Sequence, residues 1–125
     1  MNATFSNQGW RLVSGVLGLT AVAAGAIGAH AFADAQAAAS VERASMYQLI
    51  HAAVLFFSVL LTGKTIAFAR WIILAGLFLF CGSIYVKYFL HIPSATQLAP
   101  VGGTLLMLGW LFFSISGLFG VKKHE

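Results

Sequence analysis

Six side chains in this chain have types that could do chemistry: His30, Gln48, His51, Tyr85, Lys87 and His91. Each lies inside or at the end of an otherwise apolar run. Imidazole titrates near neutrality and ligates zinc, copper and haem iron, so His30, His51 and His91 would be the donors of a metal or haem site. His51 with Gln48 and Tyr85 would instead suit a proton relay or a quinone head group, whose carbonyl needs a donor in an apolar pocket. Arg43 and Lys87 offer charge to an anion or a lipid head group. The Cys, Met and carboxylate ligands that usually complete a metal site are not spaced nearby, so no metal or cofactor is expected. The same groups can also serve one another. His30 and His51, bonded as neutral imidazoles across two helices, would fasten a hairpin, and that is the reading the sequence favours. Cys81 reads as a small buried hydrophobe. The sequence has no nucleophile–base pair, phosphate-binding glycine loop or HExxH element, and a non-enzymatic protein is expected.

Composition decides what must position these residues. Of 125 residues, 60% are hydrophobic and 8% charged, against about 25% charged in a soluble domain. So few charges cannot cover a globule in water, and the missing polar surface implies lipid. High apolar content argues against disorder, the scattered basic residues against nucleic-acid binding, and a single Cys against a disulfide scaffold. A hydrocarbon core of about 30 Å needs about 20 apolar helical residues. Four runs qualify, at about 12–32, 44–62, 71–90 and 100–121. The first exceeds the h-region of a cleaved signal and is expected to remain as a span. The fold class expected is an all-α integral membrane protein, an up-down-up-down bundle of four transmembrane helices forming a single membrane domain, 1–125.

Basic residues mark the cytoplasmic side. Arg11, Lys64, Arg70, Lys122 and Lys123 fall on one side, Arg43 and Lys87 on the other, which puts both termini in the cytoplasm. The six polar residues then lie toward the outer leaflet. In the second span Gln48, His51, Leu55, Ser58 and Thr62 recur every three or four residues and should face the bundle interior. Trp10 and Trp71 would mark the cytoplasmic interface.

Association between spans must come from close backbone approach, because lipid tails are as apolar as Leu. Gly18, Gly25 and Gly28 in the first span, Gly82 in the third, and Gly102 and Gly109 in the fourth are the candidate seams. Ser40 would cap the second helix, with Glu42 in its first turn. Residues Ile92 to Ala99 read as a true break, and Pro100 suits the first turn of the fourth helix.

Several segments resemble domain-of-unknown-function family 423, the YgdD-like small inner-membrane proteins. They are Gly25-Ala26-Ile27-Gly28-Ala29-His30, Tyr47-Gln48-Leu49-Ile50-His51, Phe80-Cys81-Gly82-Ser83-Ile84-Tyr85, and Pro100-Val101-Gly102-Gly103 with Gly109-Trp110. About one falls in each span, in the family's order. Cys81 departs from the pattern, which more often has Ser. The resemblance implies a multi-pass protein of the cell inner membrane and no activity. The functional expectation is association with lipid and with other helices, as a homo-oligomer or an accessory subunit of a membrane complex, without nucleic acid. The alternatives are a small oligomeric carrier or channel, or a quinone- or metal-binding membrane protein, using the His/Gln/Tyr layer.

Overall fold

Ser6 opens the first helix, its hydroxyl accepting from the Gly9 amide at 3.1 Å, as an N-cap must when the first amides lack helical partners. The computed structural model describes residues 6–119. Lys122 and Lys123, used in the orientation argument, lie outside the described residues, as does the end of the fourth expected span. Helix α1 is Asn7–Ala31, α2 Ala35–Phe57, α3 Lys64–Phe89 and α4 Ala99–Ser116. Short 3₁₀ helices extend α2 (Ser58–Leu60), precede α4 (Pro93–Leu98) and follow it (Gly117–Phe119). With these extensions four helical stretches of 25 to 27 residues are long and apolar enough to cross a membrane.

The helix ends differ most from the sequence expectation in three places. Helix α2 begins nine residues before position 44 because Asp34, not Ser40, caps it, its Oδ2 accepting from the Ala37 amide at 3.0 Å. The Ala-rich stretch that follows has the highest helix propensity of any composition, so Ser40 and Glu42 lie inside the helix. Helix α3 begins seven residues before position 71. Its start is set by Gly63, whose φ of 125° is open only to glycine at little cost. The expected break over 92–99 shrinks to Leu90–Ile92, since Pro93–Leu98 is already helical and leads straight into α4. His91 makes the turn, with φ of 60°, the left-handed residue just past a helix C-terminus. Pro100 does sit in the first turn of α4.

Residue pairing makes each consecutive pair of helices antiparallel. Gly25 and Gly28 of α1 face Ser45 and Val41 of α2, and the Ser45 hydroxyl donates to the Ala21 carbonyl at 2.7 Å. Between α2 and α3, Cys81 Sγ donates to the Ala44 carbonyl at 3.3 Å, and Arg70 reaches Ser58. Between α3 and α4, Gly109 meets Ile73 and Gly102 lies on the backbone of Leu79 and Phe80. Trp10, Ala44, Leu55, Ile73, Leu77, Cys81 and Leu106 form the core.

Two expected packing roles are corrected. Gly82 has no neighbour within 4 Å of where a Cβ would stand, and Gly18 only reaches Ala52 Cβ at 4.0 Å. Gly82 faces the gap between α1 and α3, where no backbone approaches it. Trp10 is 2% exposed and packs edge-on against Trp71, centroids 4.9 Å apart. Trp71 stays half-exposed, as an interfacial residue would.

The array is open rather than closed on itself. Helices α1 and α2 pack along their length, as do α3 and α4, and α2 joins the two hairpins through α3. Helices α1 and α4 lie at the edges and do not pack along one another. The reason is where the small residues fall: they line the two hairpins, and no such seam links the edges. A groove is left on each side, one between α1 and α3, the other between α2 and α4.

Candidate functional site

Burial on α2 follows the helical period, so Ser45, Gln48, His51, Leu55 and Ser58 all point inward. Gln48, 5% exposed, is satisfied on every side. Its Nε2 donates to the Leu17 carbonyl and to Thr20 Oγ1, both at 2.8 Å, and its Oε1 accepts from the Tyr85 hydroxyl at 2.8 Å. A backbone carbonyl only accepts, which fixes which end of the amide is NH₂. One residue of α2 thereby ties α1 to α3.

His51, 4% exposed, belongs to a second network on the opposite groove. Its Nδ1 lies 2.6 Å from the Tyr47 carbonyl, and its Nε2 accepts from Trp110 Nε1 at 3.0 Å. A carbonyl accepts and an indole N–H only donates, so the ring is held as the neutral Nδ1–H tautomer. The Nε2 lone pair that would hold a metal or take a proton is therefore in use. Tyr47 stacks on the His51 ring at 6.2 Å, and Trp110 meets it edge-on at 5.8 Å.

The three imidazoles expected to gather do not. His30 is exposed at the end of α1, His91 is exposed in the α3–α4 turn, and neither reaches His51. The His30–His51 bond that would have fastened the hairpin is replaced by Ser45 and Gln48, which bond the Ala21 and Leu17 carbonyls of α1. Among the described residues no three His, Cys, Asp or Glu side chains are grouped as metal ligands. Lys87 is half-buried with its ammonium 5.0 Å from the Tyr88 ring centroid, a cation–π contact near the helix end. Of the six candidates the structure brings together Gln48 and Tyr85, and separately places His51 with Trp110.

Sequence reasoning missed Arg70. Read as a boundary charge, it is 8% exposed and lies across the end of α2. Its Nε donates to Ser58 Oγ at 2.9 Å, and one terminal nitrogen donates to the Ser58 and Leu61 carbonyls at 2.6 and 3.0 Å. Its guanidinium carbon lies 5.9 Å from the Trp10 ring centroid. A helix C-terminus carries partial negative charge and unpaired carbonyls, and the guanidinium answers both. Gly63 was the available signal: as the break, it sets Arg70 nearly two turns inside α3.

The Gln48–Tyr85 bond makes a quantitative expectation. Tyr85→Phe should lower stability in detergent micelles by about 1 kcal/mol. Gln48→Leu removes the same bond, so the double variant should fall short of the summed losses by about 1 kcal/mol. Equilibrium unfolding in mixed micelles measures this, and strictly additive losses would show the bond contributes nothing.

The sequence was compared with known proteins. A family model described as "Protein of unknown function (DUF423)" matches residues 24–103, which include Gln48, His51 and Tyr85. A UPF0382 membrane protein of Staphylococcus aureus is 33% identical over 104 residues, 78% of this chain and 85% of the relative. One of Haemophilus influenzae is 31% identical over 102 residues, 75% and 81%. The UPF0382 membrane protein YwdK of Bacillus subtilis is 25% identical over 115 residues, 86% and 94%. No solved structure matches the chain. With four helices of membrane-crossing length and relatives named as membrane proteins, the chain belongs to the DUF423 family of membrane proteins of unknown function.

Proposed function

We propose that this membrane protein has no catalytic activity of its own and works through helix–helix association in the inner membrane, as a homo-oligomer or an accessory subunit of a larger complex, with both termini in the cytoplasm. The observation that carries the reading is the contrast between its polar and apolar surfaces. Gln48, Tyr85 and His51 are bonded to protein partners, while His30 and His91 stand apart and exposed. The edge helices carry large apolar residues outward, Leu12, Val16, Leu19 and Val22 on α1 and Val101, Met107 and Leu111 on α4. An edge helix of an open array is the element most able to take a further helix without disturbing the rest. Purification in a mild detergent followed by native mass measurement tests this. A mass of two or more chains, or of the chain with a co-purifying membrane protein, is expected. A strictly monomeric species without partners would overturn the reading.

The orientation rests on Arg11, Lys64 and Arg70 at the end of the array where α1 begins, against Arg43 and Lys87 toward the other. Reporter fusions after Lys64 should report the cytoplasm and fusions after Ser94 the outside. The reverse pattern would sink the assignment.

A further inference from the structure

Glu42 and Arg43 are adjacent opposite charges on α2 that cannot serve each other. Residues i and i+1 point to different sides of a helix, and the positions three and four away from each are Ala, Ser, Met or Tyr. Both side chains are exposed, and neither makes an ion pair or hydrogen bond among the described residues. Their depth makes this costly. The Glu42 amide nitrogen lies 3.7 Å from where a Cβ on Gly28 would stand, three residues short of the end of α1 at Ala31. On the other side Cys81 bonds Ala44, which sets Glu42 level with Ser83, six residues short of the end of α3 at Phe89. At a rise of about 1.5 Å per residue, both charges sit about 5 to 9 Å inside the helix ends. A charge that faces lipid at such a depth is stabilised by an opposite one.

The rest of that face is apolar. Ala39, Met46, Ile50, Ala53 and Phe57 recur at helical spacing and are all exposed, on the side of α2 turned away from α1 and α3. At about 100° per residue, Glu42 stands about 50° to one side of this stripe and Arg43 about 50° to the other. Two copies inserted in the same direction are related by a two-fold axis along the membrane normal. When the stripes face each other across that axis, the left flank of one meets the right flank of its counterpart. Glu42 of each copy then meets Arg43 of the other, and two ion pairs form. The edge helices offer no such answer: α4 has no Asp, Glu, Lys or Arg, and α1 has only Arg11, at its other end. On the basis of the association proposed above, we infer that a second copy of the chain docks on the outward face of α2, parallel to the first, with Glu42 and Arg43 paired reciprocally.

The test uses the full-length protein in lipid vesicles, with Cys81→Ser removing the native thiol and Met46→Cys placing one thiol on the stripe. Mild oxidation should join Met46→Cys chains into disulfide-linked dimers, whereas Val22→Cys on α1 and Leu111→Cys on α4 should stay monomeric. Added to Met46→Cys, either Glu42→Arg or Arg43→Glu turns both pairs into repulsions and should lower the dimer yield about tenfold, the worth of two exposed ion pairs. Tagged differently and reconstituted together, the two reversed chains regain both pairs, since one carries two arginines and the other two glutamates. They should link to each other about tenfold more than to themselves. Reversed chains that link to themselves as readily as to each other overturn the proposal. The comparison of thiol positions needs neither reversal: linking through Val22→Cys or Leu111→Cys in preference to Met46→Cys overturns the α2 interface and leaves association through an edge helix standing. A chain that co-purifies only with a different membrane protein overturns this dimer and keeps the accessory-subunit reading, and a lone monomer overturns both.

Discussion

Gly102→Ala is expected to be the most damaging one-carbon change in the protein, costing about 3 kcal/mol, the upper end for overpacking. A Cβ at Gly102 falls on the backbone of α3, against the Phe80 amide nitrogen and Cα and 2.8 Å from the Leu79 carbonyl carbon. Backbone cannot rotate out of the way, so α4 must move off α3 and lose the packing of Leu106 against Gly76. The same change at other glycines should order by what the new methyl meets. Gly109→Ala meets Ile73 Cγ1, the inner part of a side chain that can repack, and should cost about 1–2 kcal/mol. Gly82→Ala meets nothing and should stabilise α3 by about 0.5–1 kcal/mol, the penalty of glycine in a helix interior. Unfolding of the three variants in mixed micelles checks the order. A neutral Gly102→Ala would mean that α3 and α4 do not approach at that point.

Arg70→Met should lower stability by about 3 kcal/mol, through the loss of three charge-assisted hydrogen bonds and the carbonyl left without a partner. Replacing a whole buried ion pair with apolar groups is often harmless because both charges go. Here the partners are Ser58 Oγ and two backbone carbonyls, which stay. Arg70→Lys keeps the charge but not the planar fork that spans Ser58 and Leu61, and should recover less than half of the loss. Ser58→Ala removes only one of the three contacts and should cost about 1 kcal/mol. If Arg70→Lys were as stable as the parent, the guanidinium geometry would have no part in closing α2. Hydrogen exchange gives a local readout, since amides near Leu61 should lose protection in Arg70→Met before those of the α3–α4 seam.

The polar layer shows how far residue type leads. Histidine on an apolar helix was the clearest feature of the sequence, yet among the described residues only His51 is buried. Its partner is Trp110, half-exposed on α4. Nothing in local spacing pairs residues 59 positions apart, and the indole at that position reads equally well as a lipid-facing anchor. Gln48 was legible as an inward residue because α2 keeps its period, whereas its partners Leu17, Thr20 and Tyr85 depend on how α1 and α3 rotate about their axes. Helix ends failed where a single residue outranked composition. Asp34 and Gly63 begin helices inside stretches where hydropathy alone marks only connecting loops.

Length and apolar content by themselves determined that four helices of membrane-crossing length would form. Without water, a backbone amide has no partner except within its own helix, so local sequence suffices to specify each one. The small residues also determined which neighbours close tightly, since Gly25, Gly28, Gly102 and Gly109 each lie where another helix arrives. The tertiary arrangement alone decided that the edges stay apart, that the Gln48 and His51 networks open onto different grooves, and that Arg70 closes a helix end. Those outcomes depend on axial rotation and offset between helices, which a linear pattern with one dominant apolar class leaves nearly degenerate. Packing against particular neighbours removes that degeneracy.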